Sequence, residues 1–249
     1  MNSWEFNKLG IENYNNPQNR MYKYFEFIKN NYNKIHGDIF EFGVFQGRSL
    51  FSTALLLKKL NSNKKIYAFD SYCGLAEFEN HEKDDLKNFK TMYENNIISE
   101  EHYNDVLKLQ KYNNFLNKKN NSMTVSTSND FSDTSLEYLQ KKAEYLNLDN
   151  IIFVKGPFEK TIPKFVNHKI FCSNIDCDLY DSYKICLPFV YENLEKGGFI
   201  HLDEYYSLKF PGARLFCDEY FNNNNIKPLK HIDEYDKWER WYIIKDNNF

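Results

Sequence analysis

Apolar positions along this chain alternate between two periods. From Tyr22 to Tyr32 the segment YKYFEFIKNNY spaces its apolar residues as one helical face, which predicts an amphipathic helix. HGDIFEFGV then gives a turn and a short buried strand. SLFSTALLLKKL gives a helix with a broad Leu and Ala face, ended by NSNKK, and IYAFD gives a second strand. Strand, helix and strand of this size make one β-α-β unit. The rhythm returns at Ser135. SLEYLQKKAEYLNL reads as a helix capped by Ser135, IIFVKG as a strand and KIFCSNIDCD as a strand ending in acids. DSYKICLPFVYENL reads as a helix interrupted or bent near Pro188, and GGFIHLDEY as another strand ending in acids. A helix from Ala213 to Phe221 and two terminal strands, IKPLK and RWYIIK, complete the pattern. Together these elements predict an α/β fold with an open, mostly parallel central sheet flanked by helices.

The least regular stretch, roughly Ser71 to Asn129, follows the second strand. It holds polar helical segments such as DDLKNFKTMYENN and YNDVLKLQKYNNFLNKK and no strong strand signal. An insertion over the sheet edge as a lid and a scaffold packed against that edge are both open readings. Residues 1–36 form an N-terminal helical segment, and the 249 residues fit a single domain. The short Asn tracts NNYN, LNKKNNS and FNNNN are flanked by patterned sequence and read as loops.

Charge narrows the partners. A formal charge of -3, with Lys dispersed among Asn and Glu, argues against a nucleic-acid surface, which needs a concentrated basic field. The N-terminus MNSWEFNKLG has no basic segment leading into an apolar stretch, and no later run approaches the roughly 20 apolar residues that cross a bilayer. The expectation is a cytoplasmic protein that acts on a small molecule, with no membrane partner and with self-association into a homo-oligomer left open. Cys73, Cys172, Cys177, Cys186 and Cys217 form no CxxC pair and read as reduced small hydrophobes.

In an open parallel sheet, ligands collect beyond the C-terminal ends of the strands, near the reversal of strand order. EFGVFQGRS, FDSYCG, VKGPFEK, IDCD and HLDEY therefore share one rim. Gly43 and Gly47 permit a positive φ or a close ligand approach, and Ser49 sits at the following helix start. The spacing is neither GxGxxG nor GxxxxGK[ST], so pyrophosphate is not the obvious ligand. Asp70 ends the second strand, where an acid either bridges ribose hydroxyls or caps the strand. Glu41 either holds the glycine turn or meets a cationic amino-acid group. Asp176 and Asp178 have period-two spacing, so an extended backbone would direct both to one side; Asp203 and Glu204 add carboxylates at the end of the next strand. Such an oxygen-rich set suits a hard cation, and a solvated strand end is the alternative.

The segments IFEFGVFQGRS, IYAFDSYCGLAEF, IIFVKGPFEKTIP, NIDCDLYDSYKICLPFVYENLEKGGFIHLDEY and PGARLFCDEYF, in this order, resemble the macrocin O-methyltransferase family of class I methyltransferases. The resemblance implies a Rossmann-like methyltransferase fold, bound S-adenosylmethionine, a divalent metal (usually magnesium), and transfer to a hydroxyl, often on a sugar or glycosylated metabolite. It implies that Glu41, Gly43, Gly47 and Ser49 shape the methionine end of the cofactor pocket and that Asp70 and Ser71 form its ribose side. Gly156 and Phe158 would form a further wall. Asp176 would touch both cofactor and metal, with Asp203 and Glu204 as further metal ligands and Asp178 as the base for the acceptor hydroxyl.

Three positions depart from the family pattern: Pro157 replaces a usual Trp, Cys177 a common Gly and Glu204 a common Asp. His201 lies two residues before Asp203 and either tunes that acid or plays a structural part; His36, His168, His81 and His102 are weaker candidates, with surface placement expected for the last two. Tyr180, Tyr205 and Tyr206 are candidates to stack on a sugar, and Leu208 to Gly212 to form an acceptor wall. The competing reading is a non-catalytic cofactor-binding or assembly protein on a methyltransferase-like fold.

Overall fold

The computed structural model describes residues 1–75, 86–118, 131–234 and 236–245. Its strands are β1 (Asp38–Phe42), β2 (Ile66–Asp70), β3 (Ile151–Lys155), β4 (Ile170–Ile175), β5 (Leu194–Leu202), β6 (Leu229–Ile232) and β7 (Glu239–Ile244). Its helices are α1 (Ser3–Lys8), α2 (Tyr22–Asn31), α3 (Arg48–Lys59), α4 (Asn88–Glu94), α5 (Glu100–Phe115), α6 (Leu136–Tyr145), the single turn α7 (Phe158–Thr161), α8 (Tyr180–Asn193) and α9 (Pro211–Asn224).

Alternation in β1 sorts its side chains between two cores. Phe40 and Phe42 join Phe69, Ile175 and Ile200 beneath α8 and α9. Ile39 joins Ala68, Phe171 and Phe199 against α2, α3 and α6. The Phe42 and Phe69 rings stack at 4.7 Å, which ties β1 to β2 beneath the rim. With both faces covered, β1 and β4 are buried along almost their whole length, as a parallel sheet between helix layers requires, although Glu41, Ser173 and Asn174 put polar groups into them.

The sheet order is β3-β2-β1-β4-β5-β7-β6. All pairs from β3 across to β5 are parallel, and β7 runs antiparallel to both β5 and β6. Strand order reverses between β1 and β4, so the glycine turn after β1 and the acids after β4 stand side by side.

Two local expectations change. α8 is not interrupted at Pro188; the carbonyl left without its helical donor is that of Lys184, an exposed residue open to solvent. The penultimate strand starts at Leu229, after Pro228, whose ring nitrogen has no hydrogen for a ladder. The described part of the insertion, α4 and α5, closes its own apolar cluster of Leu86, Phe89, Met92, Ile98 and Val106, which Leu208 and Leu215 join from the α9 side. His81 lies outside the described residues. No described helix is long and apolar enough to cross a membrane.

Candidate active site

The glycine turn is as tight as its composition suggests. Gly43 adopts φ +84, and a Cβ there would stand 1.6 Å from the Asp176 carbonyl oxygen. Only a residue without a side chain lets the exits of β1 and β4 approach this closely. Gly47, at φ +75, opens α3 under the Phe51 ring, which a Cβ would meet at 2.4 Å.

Between these glycines Phe45 also has a positive φ, 48°, and Asp70 holds this strained turn in place. One Asp70 oxygen accepts from Val44 N at 2.6 Å and Phe45 N at 3.1 Å; the other accepts from Tyr72 N at 2.6 Å, while Ser71 Oγ, 3.4 Å away, gives its proton to Gly74 O at 2.5 Å. A carboxylate offers about four lone-pair positions, and three backbone N–H groups occupy all but one of them. Asp70 and Ser71 both line the cavity. In this geometry Asp70 clamps the turn, and ribose hydroxyls would have to share or displace its present donors.

Glu41 stands behind the wall. It is fully buried, does not line the cavity, and accepts from Ser49 Oγ at 2.6 Å. Its other oxygen and both amide atoms of Asn174, its register partner on β4, are buried without a protein hydrogen-bond partner. Burial pushes the Glu41 carboxyl up to about 8; Ser49 works the other way, and the charge of Asp176 adds to the rise. Its action on the pocket therefore passes through Ser49, which does line it.

Asp176, Asp178 and Glu204 bring carboxylate oxygens within 4.8 Å of one another. The extended-backbone argument for the first pair fails: β4 ends at Ile175 and Asp178 has φ 61. A left-handed turn, not strand alternation, brings its carboxylate beside Asp176. Cys177 is not among the residues of positive φ, so Cys is tolerated where the family commonly has Gly. The buried Tyr183 hydroxyl contacts both Ile175 O at 2.8 Å and Glu204 Oε2 at 2.9 Å. One hydroxyl donates once, so both contacts are satisfied when Tyr183 donates to Ile175 O and a protonated Glu204 donates to Tyr183.

Burial is the first cause that raises these acids. Asp176 is pushed up to about 7, with the Asp203 charge adding and Arg20 opposing. Asp178 and Glu204 are held well above the usual range by burial and then by the charge of Asp176. Asp203 goes the other way: burial would raise it, but Arg20 and His201 outweigh burial and hold it below the usual range. Arg20 Nη1 lies 3.4 and 3.5 Å from the two Asp203 oxygens, and His201 Nε2 lies 3.4 Å from one. The spacing of His201 to Asp203 suggests the first contact; no local motif marks Arg20. Carboxyl groups that burial keeps protonated when alone, offering oxygen donors only, fit a hard divalent cation that would ionise them together.

The remaining wall sorts the other candidates. Gly156, Phe158, Asp181, Tyr206, Leu208, Lys209 and Phe210 line the cavity. Pro211 and Gly212 do not; they are buried in the first turn of α9. Tyr180 and Tyr205 are corrected as well: their hydroxyls turn to Glu219 and Asp218, leaving Tyr206 as the lining ring. His102, expected at the surface, is 2% exposed. It stacks on Tyr206 at 4.0 Å, and its Nε2 meets Ser207 O at 2.6 Å, so the insertion braces the acceptor loop. Burial lowers this imidazole, favouring the neutral ring.

These residues enclose one cleft of about 1140 Å³ running from the glycine turn to the acids. That exceeds the roughly 300–1,000 Å³ of a site for one drug-sized ligand, so a cofactor and a second molecule fit side by side.

The sequence profile described as Macrocin-O-methyltransferase (TylF) matches residues 17–114 and 111–241. The O-methyltransferase NovP superposes with a TM-score of 0.62 at 18% identity, covering 89% of this chain and 76% of that chain. The calicheamicin methyltransferase CalS11 superposes with a TM-score of 0.59 at 16% identity, covering 90% and 76%. An apo structure of CalS11, described as a TDP-rhamnose 3'-O-methyltransferase, gives a TM-score of 0.52 at 17% identity, covering 90% and 79%. A comparison with curated proteins finds no match. At these identities the likeness shows the fold, which is that of class I S-adenosylmethionine-dependent methyltransferases.

Proposed function

We propose that this chain, which belongs to the macrocin O-methyltransferase family, transfers the methyl group of S-adenosylmethionine to a hydroxyl of a sugar or sugar-containing small molecule, assisted by a divalent cation, magnesium first. The observation that carries this reading is the single cleft onto which both the glycine turn and the buried acids open. The description of CalS11 as acting on TDP-rhamnose supports a sugar acceptor.

Gly43, Gly47, Ser49, Ser71, Gly156 and Phe158 shape the cofactor half, and Glu41 fixes Ser49 from behind. Asp176 and Glu204 would hold the cation, joined by Asp203, which in the free protein is not part of the Asp176, Asp178 and Glu204 set and is engaged by Arg20 and His201. When bound, S-adenosylmethionine supplies an electrophilic methyl group, and the cation offsets negative charge growing on the acceptor oxygen. Asp178 takes the hydroxyl proton on a carboxylate oxygen and must be ionised to do so, against its burial and the charge of Asp176. Tyr206, Lys209 and Phe210 face the acceptor half and orient the acceptor hydroxyl toward Asp178.

The test is mass spectrometry of purified protein with S-adenosylmethionine and magnesium over a panel of sugars, nucleotide sugars and glycosides, following S-adenosylhomocysteine and methylated product together. Cofactor binding without turnover on any hydroxyl acceptor would replace this reading with the non-catalytic one. Absence of cofactor binding would remove both.

A further inference from the structure

Of the four acids of the site, Asp203 pairs with a cationic side chain that arrives from the opposite end of the sequence. Arg20 spans 183 residues to reach Asp203, placing Nη1 3.4 and 3.5 Å from its two oxygens. Its Nε lies 3.4 Å from Glu12 Oε1. Glu12 is itself anchored: Asn19 Nδ2 donates to its other oxygen at 2.6 Å, its backbone N donates to Arg48 O at 3.1 Å, and Arg48 Nη2 stands 3.2 Å from Oε1. The oxygen shared by the two guanidinium groups has no aligned hydrogen bond, so charge contact holds it. Arg20 lines the cleft and its side chain is 39% exposed, whereas Glu12 is 7% exposed. A buried anion thus holds an accessible cation against the acid cluster.

We propose that Arg20 is a resident cation that competes with the divalent metal for Asp203, so that metal binding requires the Arg20–Asp203 pair to break. This rests on the reading of the acids as a metal site. A metal bond to a carboxylate oxygen is about 2.0–2.6 Å long, and a guanidinium 3.4 Å from the same oxygen would stand close to a second positive charge. The pair is long for a charged hydrogen bond, as a contact that must exchange should be. Arg20 is a positioning residue: it fixes Asp203 when no metal is bound and lowers the affinity of the cluster for metal.

The test is a double-mutant cycle in metal affinity, read by calorimetric titration with magnesium chloride and with manganese chloride. The proteins are the wild type, Arg20→Met, Asp203→Asn and the double variant. Arg20→Met should bind metal about tenfold more tightly, equivalent to about 1.4 kcal/mol, and this gain should vanish in the Asp203→Asn background. Arg20→Lys, which keeps the charge but loses the fork, should fall between. A second readout is thermal: the melting temperature of Arg20→Met should be lower than wild type in chelator and should rise more on adding metal. Unchanged or weaker metal binding by Arg20→Met overturns the proposal. An equal gain in the Asp203→Asn background also overturns it, because the effect would then be a diffuse field and not competition at one carboxylate. If neither wild type nor variants bind metal, this inference and metal assistance fall together; titration with S-adenosylhomocysteine then reports separately whether the methyltransferase reading stands.

Discussion

Replacing Asp70 by Asn separates two tasks that one carboxylate at this rim could perform. In the free protein its oxygens accept from Val44 N and Phe45 N on one side and from Tyr72 N on the other. Asn keeps one acceptor atom and turns the other into a donor, so even with its N–H₂ toward Tyr72 N at least one backbone donor faces an N–H₂ group, and the bonds that remain lose their charged acceptor. Hydrogen bonds to a charged group contribute about 1.5–3 kcal/mol each. The site is partly exposed and water recovers some of the loss, so the expected cost is about 2–4 kcal/mol. At about 2–4 °C per kcal/mol for a chain of this size, melting should fall by about 4–16 °C without cofactor. Ribose hydroxyls bonded to the same carboxylate would also lose a charged acceptor, so a ribose role alone lowers cofactor affinity and leaves the free-state melting temperature in place. The assay is thermal unfolding of wild type and Asp70→Asn in the free state, alongside calorimetric titration with S-adenosylhomocysteine. A free-state melting temperature within about 1 °C of wild type, with cofactor affinity alone reduced, would refute the clamp and restore the ribose role as the main one.

Gly43→Ala should cost more than about 4 kcal/mol, because the new methyl overlaps the Asp176 carbonyl and φ is positive; soluble yield and melting temperature report it, and near-normal stability would mean that the strands separate freely. Glu41→Gln tests burial through pH. The Glu41 carboxyl is raised to about 8 in the fold, so stability from its protonated form is complete below its unfolded value near 4.5 and is lost as pH rises toward 8. The Gln variant should therefore gain stability relative to wild type between those limits, on the order of a few kcal/mol by pH 8, and a pH-independent difference in denaturant midpoints would refute it. Asp178→Asn should retain cofactor binding yet slow single-turnover transfer by about 10²–10⁴-fold, and wild-type rates at every pH would remove Asp178 as base.

Elements whose signal is local were legible in the sequence. IFEF and IYAFD declare buried strands, and Ser135 caps its helix with the side chain accepting from Tyr138 N, as its position suggests. What pairs across long separations was not. Nothing within RWYIIK says that β7 slots between β5 and β6, and nothing around Arg20 points to Asp203. His102 looked like a surface residue because the ring that buries it, Tyr206, lies far along the chain. Asp178 shows a different limit: its nearness to Asp176 was anticipated through strand alternation, but a left-handed turn produces it. Tertiary contact fixes backbone conformation there, and spacing alone does not encode it.

The position of β7 has a consequence for how the protein is made and handled. The last strand of the chain is not the last strand of the sheet, so the sheet is completed from inside, by a wedge driven between two neighbours. The residue after it acts as a bolt: Lys245 exchanges backbone hydrogen bonds with Gly197 and Gly198, and its ammonium donates to the carbonyls of Tyr191, Glu192 and Leu194 at the end of α8. The same strand carries Glu239 and Arg240 into the cleft, directly after Trp238. A nascent chain that has reached β6 has thus synthesised every carboxylate of the cluster but lacks part of the cleft wall, and its β5 is an open edge able to pair with another chain. Proteolytic clipping just before Glu239 would recreate that state in the finished protein, trading a completed cleft wall for an adhesive edge.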